Sequence, residues 1–165
     1  MTSDMPGKRS GAGADSVLQQ LAQERAASTA AQAPAEALTR ASFTVLVVDD
    51  QPALLYATSR MLQRAGYKTL ETGLGEEAIT LAPAASAVVL DVNLPDVHGI
   101  EVCGVLKSDR KTARIPVVLT SAVYVDELHR GAGLSSGADA YLIAPLNPDE
   151  LAATLDRLLL AATAP

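Results

Sequence analysis

The chain has 165 residues, 48% of them hydrophobic, and a formal net charge of −6. It has no apolar run long enough for a membrane span, no apolar signal-peptide core and a single cysteine, Cys103, which excludes an internal disulfide. The acidic balance and the 3% aromatic content argue against direct nucleic-acid binding. We therefore expect a cytoplasmic globular protein without a membrane segment.

The first 41 residues differ in composition from the rest. They are rich in Ala, Ser, Gly and Gln, they lack Phe, Tyr and Ile, and their four basic and four acidic side chains cancel. Such a segment buries too little apolar surface to offset the entropy of ordering it. We predict a flexible N-terminal extension over 1–41 and a folded domain over 42–165. Asp15 could cap a short docking or dimerising helix over 16–27, which is the alternative.

Five short apolar runs follow from Phe43 onward. In chain order they are FTVLVV, YKTLE, AVVL, PVVLT and AYLIA. Their length and their β-branched residues are typical of strands that are covered on both faces.

Helical patterns separate these runs. After DDQP, apolar residues repeat at helical spacing until Gly66, which is a typical helix stop. Near the end, Asn147, Pro148 and Glu150 form a helix start, followed by a leucine stripe. The alternation of strand and helix predicts an α/β fold, a parallel sheet with helices on both faces.

Carboxylates follow two of the predicted strands. The first strand ends in Asp49 and Asp50, and the third ends in Asp91. Carboxyl ends of parallel strands share one edge of the sheet, where ligands bind at the switch in strand order. Crowded carboxylates repel each other, and a hard cation such as Mg²⁺ would offset that repulsion. One of them could also act as a nucleophile toward phosphorus.

At these residues the sequence resembles the receiver domain of two-component response regulators. The matching segments are VLVVDD, VVLDVNLPDVHG, IPVVLTSA and GADAYLIAP, and the resemblance extends over residues 43–162. It implies a flavodoxin-like (βα)5 sheet with strand order 2-1-3-4-5. It also implies a phosphoryl group received on Asp91 from a histidine kinase or phosphotransfer protein, with no independent substrate.

The resemblance assigns further roles by position. Asp49, Asp50 and Asp91 would bind Mg²⁺ together with the backbone carbonyl of Asn93. Ser121 falls on the switch hydroxyl position, since Thr120 is one residue too early. The remaining assignments are Ala122, whose backbone N–H would contact the phosphoryl group, and Tyr141, the aromatic that moves between outward and inward positions.

Several residues depart from the family pattern. Ala144 stands where the family has a lysine that binds the phosphoryl oxygen. The next residue, Pro145, keeps the family pattern and would follow a cis bond, as in relatives. His98 is expected to be an exposed turn residue, with approach to the site as the alternative, and Val123 is apolar near the expected phosphate. Three glycines within DELHRGAGLSSG predict a short or mobile fourth helix.

Three functions remain open at this point. The first is a phosphorylatable switch, and the second is an atypical receiver that binds its partner regardless of phosphorylation, which Ala144 favours. The third is a small Mg²⁺-dependent phosphohydrolase, although Asn93 occupies the place of the expected acid/base. We expect no output domain after the last helix, and therefore output through protein contacts, the N-terminal tail or a partner. The protein contacts include self-association through the fourth helix, fifth strand and fifth helix.

Overall fold

The computed structural model describes residues 40–122 and 127–163. From Thr44 onward, five strands alternate with five α-helices. The strands are β1 (Thr44–Val48), β2 (Lys68–Thr72), β3 (Ala87–Asp91), β4 (Val117–Ser121) and β5 (Ala140–Ile143). The helices are α1 (Pro52–Ala65), α2 (Gly75–Leu81), α3 (Gly99–Ser108), α4 (Glu127–Ser135) and α5 (Pro148–Thr163), with a 3-10 turn at Ala82–Ala84.

All strand pairs are parallel, and the sheet order is β2-β1-β3-β4-β5. This confirms the predicted flavodoxin-like topology. The chain moves outward from β1 to β2 and then crosses back to β3 on the other side. The switch in strand order therefore lies between β1 and β3, whose carboxyl ends carry the acidic residues.

Side chains of β1 alternate between two hydrophobic layers, as expected for a strand covered on both faces. Leu46 and Val48 enter a layer that α2 and α3 complete, whereas Val45 and Val47 enter a layer that α1 and α5 complete. Cys103 is fully buried in the first layer, where it packs as a small core residue.

The predicted helix ends are present. Gly66 ends α1 in the left-handed region, with φ of 105°. At the start of α5, the side-chain oxygen of Asn147 accepts hydrogen bonds from the N–H groups of Asp149 (2.9 Å) and Glu150 (3.1 Å). No helix within the described ranges is long and apolar enough to cross a bilayer.

Arg40 contacts the folded domain just before the predicted boundary at residue 42. Its guanidinium forms two hydrogen bonds with Asp156, at 3.0 and 2.5 Å, and a third with the carbonyl of Ala65 at 2.9 Å. The Tyr67 hydroxyl donates to the same Asp156 carboxylate. Residues 1–39 lie outside the described part, so the extension and its short helix remain predictions.

Two glycines of α3 should respond oppositely to alanine. A Cβ on Gly99 would lie 2.3 Å from the Asp91 carbonyl oxygen and 2.6 Å from the Val92 Cα, whereas a Cβ on Gly104 would meet nothing within 4 Å. We expect Gly99→Ala to lower the free energy of unfolding by about 1–3 kcal/mol. Gly104→Ala should raise it by about 0.5–1 kcal/mol through helix propensity. Urea unfolding measures both, and equal effects would contradict the predicted packing.

Candidate functional site

Three carboxylates meet at the switch between β1 and β3. Val48 pairs with Leu90 across the two strands, so the next residues, Asp49 just after β1 and Asp91 at the end of β3, lie side by side. Ligand oxygens of Asp49, Asp50 and Asp91 all lie within 4.8 Å of one another. Asp91 is 7% exposed, Asp49 is half-buried and Asp50 is exposed. The sequence predicted this cluster, and the structure assembles it from two separate loops.

Backbone groups hold two of the carboxylates in place. The N–H of Gln51 donates to Asp49 Oδ1 at 2.9 Å, and the N–H of Asn93 donates to Asp91 Oδ1 at 3.2 Å. Each donor lies two residues beyond its acceptor, in the turn that follows the strand. The turns therefore restrict both side chains before any ligand arrives.

Crowding and burial disfavour ionisation of the site. Burial, and then the charges of Asp49 and Asp50, raise the pKa of Asp91 to about 6, although the hydrogen bond from Asn93 opposes the shift. The pKa of Asp49 is also raised, mainly by burial and to a smaller extent by Asp50. A dication would supply the charge that stabilises the ionised forms, and oxygen donors are the ligands that Mg²⁺ prefers. The three carboxylates therefore fit Mg²⁺, while the Asn93 carbonyl remains a predicted ligand.

The neighbouring strand end carries the predicted switch hydroxyl. Thr120 pairs with Asp91 in the register of β3 and β4, and Ser121 follows it, 2% exposed, at the end of β4. Ala122 is exposed and precedes residues 123–126, which lie outside the described ranges. The expected position of Val123 near the phosphate therefore stays a prediction. The phosphoryl-contacting roles of Ser121 and Ala122 therefore stay predictions.

The end of β5, next to Ser121, carries Ala144 in place of the lysine that the resemblance predicts. The N–H of Ala144 donates to the Ser121 carbonyl at 2.7 Å, and the peptide bond between Ala144 and Pro145 is cis. Ala144 is half-buried and contributes only a methyl group to this end of β5. This main-chain tie keeps β5 beside β4 without any cation at residue 144.

Tyr141 lies inward, only 6% exposed. It faces a glycine of α4, because a Cβ on Gly133 would lie 3.0 and 3.1 Å from two Tyr141 ring carbons and 3.1 Å from Leu119 Cδ1. The structure describes α4 from Glu127 to Ser135, and Gly137 follows it at φ of 98°. Because residues 123–126 lie outside the described ranges, the short or mobile fourth helix stays a prediction. One of its glycines thus has a packing role that the sequence did not reveal.

His98 and Asp96 border the loop after Asp91. His98 is exposed and caps α3, with its Nδ1 accepting the N–H of Ile100 at 3.3 Å, in agreement with the expected turn position. Asp96 was not singled out from the sequence. Its carboxylate accepts two hydrogen bonds from the first turn of α2, 21 residues earlier in the chain. An aspartate after Leu-Pro is a common turn residue, so the local pattern carried no sign of this long-range contact.

The fold and the carboxylate cluster define a signalling receiver, and the comparison of sequences agrees. The family model described as response regulator receiver domain matches residues 45–156. The chain belongs to this family, which is not a classic enzyme family.

Two similar curated proteins are full-length regulators. The DNA-binding response regulator MtrA of Mycolicibacterium smegmatis is 39% identical over 113 residues, which cover 66% of this chain and 47% of that protein. The DNA-binding dual master transcriptional regulator RpaA of Synechocystis is 34% identical over 119 residues, covering 70% and 48%. The chain therefore spans about half the length of these relatives.

Solved receiver structures cover the same region. The BeF3-activated DrrB receiver domain has a TM-score of 0.64 and 34% identity, covering 72% of this chain and 97% of that one. A putative response regulator from Chloroflexus aurantiacus has a TM-score of 0.68 and 28% identity, covering 72% and 98%.

The raised pKa of Asp91 predicts a specific pH dependence of stability. Folding favours the protonated form, so this contribution is fully present below the unfolded pKa of about 4 and is lost as pH rises through about 6. Without divalent cations, Asp91→Asn should therefore be about 1–3 kcal/mol more stable than the unchanged chain above pH 7. The difference should vanish near pH 4.

Urea unfolding in a chelator between these pH values measures the difference. Asp109→Asn, which removes a carboxylate at the far end of α3, is the control and should show no such trend. A stability gain of Asp91→Asn that is independent of pH would refute the electrostatic account.

Proposed function

We propose that this chain accepts a phosphoryl group on Asp91 from a histidine kinase or phosphotransfer protein. The observation that carries this proposal is the buried Asp91 at the sheet's switch point, with ligand oxygens of Asp49 and Asp50 within 4.8 Å. Family membership supports the same chemistry. The family gives no support to the phosphohydrolase interpretation.

In the proposed reaction, an ionised Asp91 oxygen attacks the phosphorus of a phosphohistidine. A P–O bond forms as the P–N bond breaks, and the leaving imidazole takes up a proton. A bound Mg²⁺ would offset the negative charge of the carboxylates and of the phosphoryl oxygens. The backbone N–H groups of Gln51 and Asn93 hold Asp49 and Asp91 for this step.

Output is proposed to pass through protein contacts. Ser121 and the N–H of Ala122 would hold the phosphoryl group, and their movement would change the packing around the inward Tyr141. Exposed large apolar residues occur on α4, β5 and α5, namely Leu134, Ile143 and Leu160, which supports self-association through that face. Direct DNA binding is not proposed for the receiver itself, given its acidic charge. A histidine-kinase partner and the single cysteine support a cytoplasmic location.

Mass spectrometry tests the proposed phosphorylation. After incubation with an acyl phosphate and Mg²⁺, we expect the full chain to gain about 80 Da, the mass of one phosphoryl group. Asp91→Asn should gain nothing because the nucleophile is gone, and a chelator should strongly reduce the gain in the unchanged chain. The control Asp109→Asn should be labelled normally. Labelling retained by Asp91→Asn, or absent from the unchanged chain, contradicts the proposal.

Ala144 favours a second candidate, a receiver that binds its partner in either phosphorylation state. A ligand shifts an equilibrium only through contacts that differ between the two states. The methyl group of Ala144 supplies no charge for the phosphoryl oxygen, so one such contact is missing. Under this proposal, Asp91→Asn would retain partner binding and biological output.

The variant Ala144→Lys distinguishes the two candidates. An ammonium group near the carboxylates should lower the pKa of Asp91 and reduce the dependence of phosphorylation on Mg²⁺. It should also enlarge the NMR shift changes of Ser121 and Tyr141 when an acyl phosphate and Mg²⁺ are added.

Ala144→Met is the matched control, since its side chain is long but uncharged. If Ala144→Lys behaves like Ala144→Met, the missing lysine does not limit switching.

A further inference from the structure

None of the contacts described above joins the segment of Asp49 and Asp50 directly to the loop that follows Asp91. A third segment, residues 72–76 at the end of β2 and the start of α2, contacts both loops. We call it the bridge segment.

One side of the bridge segment contacts the acidic pair. The N–H of Asp49 donates to the Thr72 carbonyl at 3.1 Å. A Cβ on Gly73 would lie 3.6 Å from the Asp49 carbonyl oxygen and 3.7 Å from the Asp50 Cα, which is ordinary van der Waals distance. The backbone of Asp49 is therefore bonded to the bridge segment, and the backbone of Asp50 lies close to it.

The other side contacts the loop after Asp91. The two carboxylate oxygens of Asp96 accept the N–H groups of Gly75 and Glu76, each at 2.9 Å. A Cβ on Gly75 would lie 2.9 Å from Val102 Cγ2 and 3.3 Å from Leu94 Cδ1, so α2 starts in close contact with this loop and α3. The hydrogen bonds from Glu76 and then Gly75 lower the pKa of Asp96 and favour its ionised form.

We propose that Asp96 is a positioning residue, which, through the bridge segment, fixes the loop carrying Asn93 relative to Asp49 and Asp50. Asp96 accepts both hydrogen bonds across a separation of about 20 residues and needs no contact with metal or phosphoryl group. Its loss would leave all three site carboxylates present, with the Asn93 backbone free to move away from them. This inference rests on the proposed function only in assuming that the carboxylates bind Mg²⁺.

Calorimetric Mg²⁺ binding by the full chain tests the proposal. We expect Asp96→Ala to weaken binding about tenfold, the usual effect of removing a group that orients ligands. Asp96→Asn keeps one acceptor oxygen but loses the second, so its Mg²⁺ affinity should fall between those of Asp96→Ala and the unchanged chain. Asp109→Ala is the charge control, since it removes an exposed carboxylate that also accepts a local backbone N–H, from Lys111 at 2.9 Å. It should bind Mg²⁺ as the unchanged chain does.

A second readout needs neither metal nor phosphoryl group. The N–H groups of Asn93 and Gln51 donate to Asp91 and Asp49, so their amide exchange reports the loop geometry in the metal-free chain. Asp96→Ala should accelerate exchange at Asn93 and leave that at Gln51 unchanged, and Asp96→Asn should show an intermediate rate at Asn93.

Two results would overturn the positioning role. Equal loss of Mg²⁺ affinity in Asp96→Ala and Asp109→Ala would assign the effect to charge alone. Unchanged exchange at Asn93 in Asp96→Ala would show that the contact stabilises only α2. A failure of the unchanged chain to be phosphorylated would instead remove the proposed function, while the exchange measurement would still decide the role of Asp96.

Discussion

Repulsion among three carboxylates is the constraint on which the rest of this molecule depends. The parallel sheet brings Asp91 beside Asp49 and Asp50 because β1 and β3 are neighbours and their carboxyl ends share an edge. Buried apolar layers on both faces keep these strands adjacent, so the carboxylates cannot separate without breaking the core. Burial of Asp91, and then the charges of Asp49 and Asp50, raise its pKa to about 6 in this arrangement. A site of this kind is unfavourable when it is fully ionised and becomes favourable once positive charge is supplied.

The protein itself supplies little of that charge at the fifth strand. Ala144 donates its backbone N–H to the Ser121 carbonyl and contributes only a methyl group, so its side chain brings no positive charge to this end of the sheet. Tyr141 on the same strand already lies inward and faces Gly133, where a larger residue would meet its ring. If Tyr141 has the proposed switch role, its inward position leaves less rearrangement for phosphorylation to produce. The two proposed modes, phosphorylation-dependent and phosphorylation-independent binding, thus differ in how much free energy the phosphoryl group contributes to a conformation that packing already favours.

Features that depend on local pattern were predictable from the sequence, and features that depend on distant contacts were not. The strand order followed from the resemblance, and the carboxylate cluster followed from apolar runs that end in Asp49, Asp50 and Asp91. Arg40 was assigned to a flexible extension because its neighbours are small and polar, but Asp156 lies 116 residues away and binds it. Asp96 was missed for the same reason, since its partners are amides of another loop, and backbone donors leave no mark in the sequence. The packing of the Tyr141 ring against Gly133 could not be predicted from the sequence. A glycine in a helix indicates a cost in helix propensity but does not show what packs against it.

Proton release on Mg²⁺ binding tests the central electrostatic claim most directly. If the cation balances the crowded carboxylates, binding must displace the proton that Asp91 retains near its pKa of about 6. Calorimetric titration of the full chain at pH 6, in two buffers with different ionisation enthalpies, measures the number of protons released. We predict release of a substantial fraction of a proton at pH 6, declining toward zero above pH 8. Mg²⁺ binding with no buffer dependence at pH 6, or no Mg²⁺ binding at all, would contradict the account.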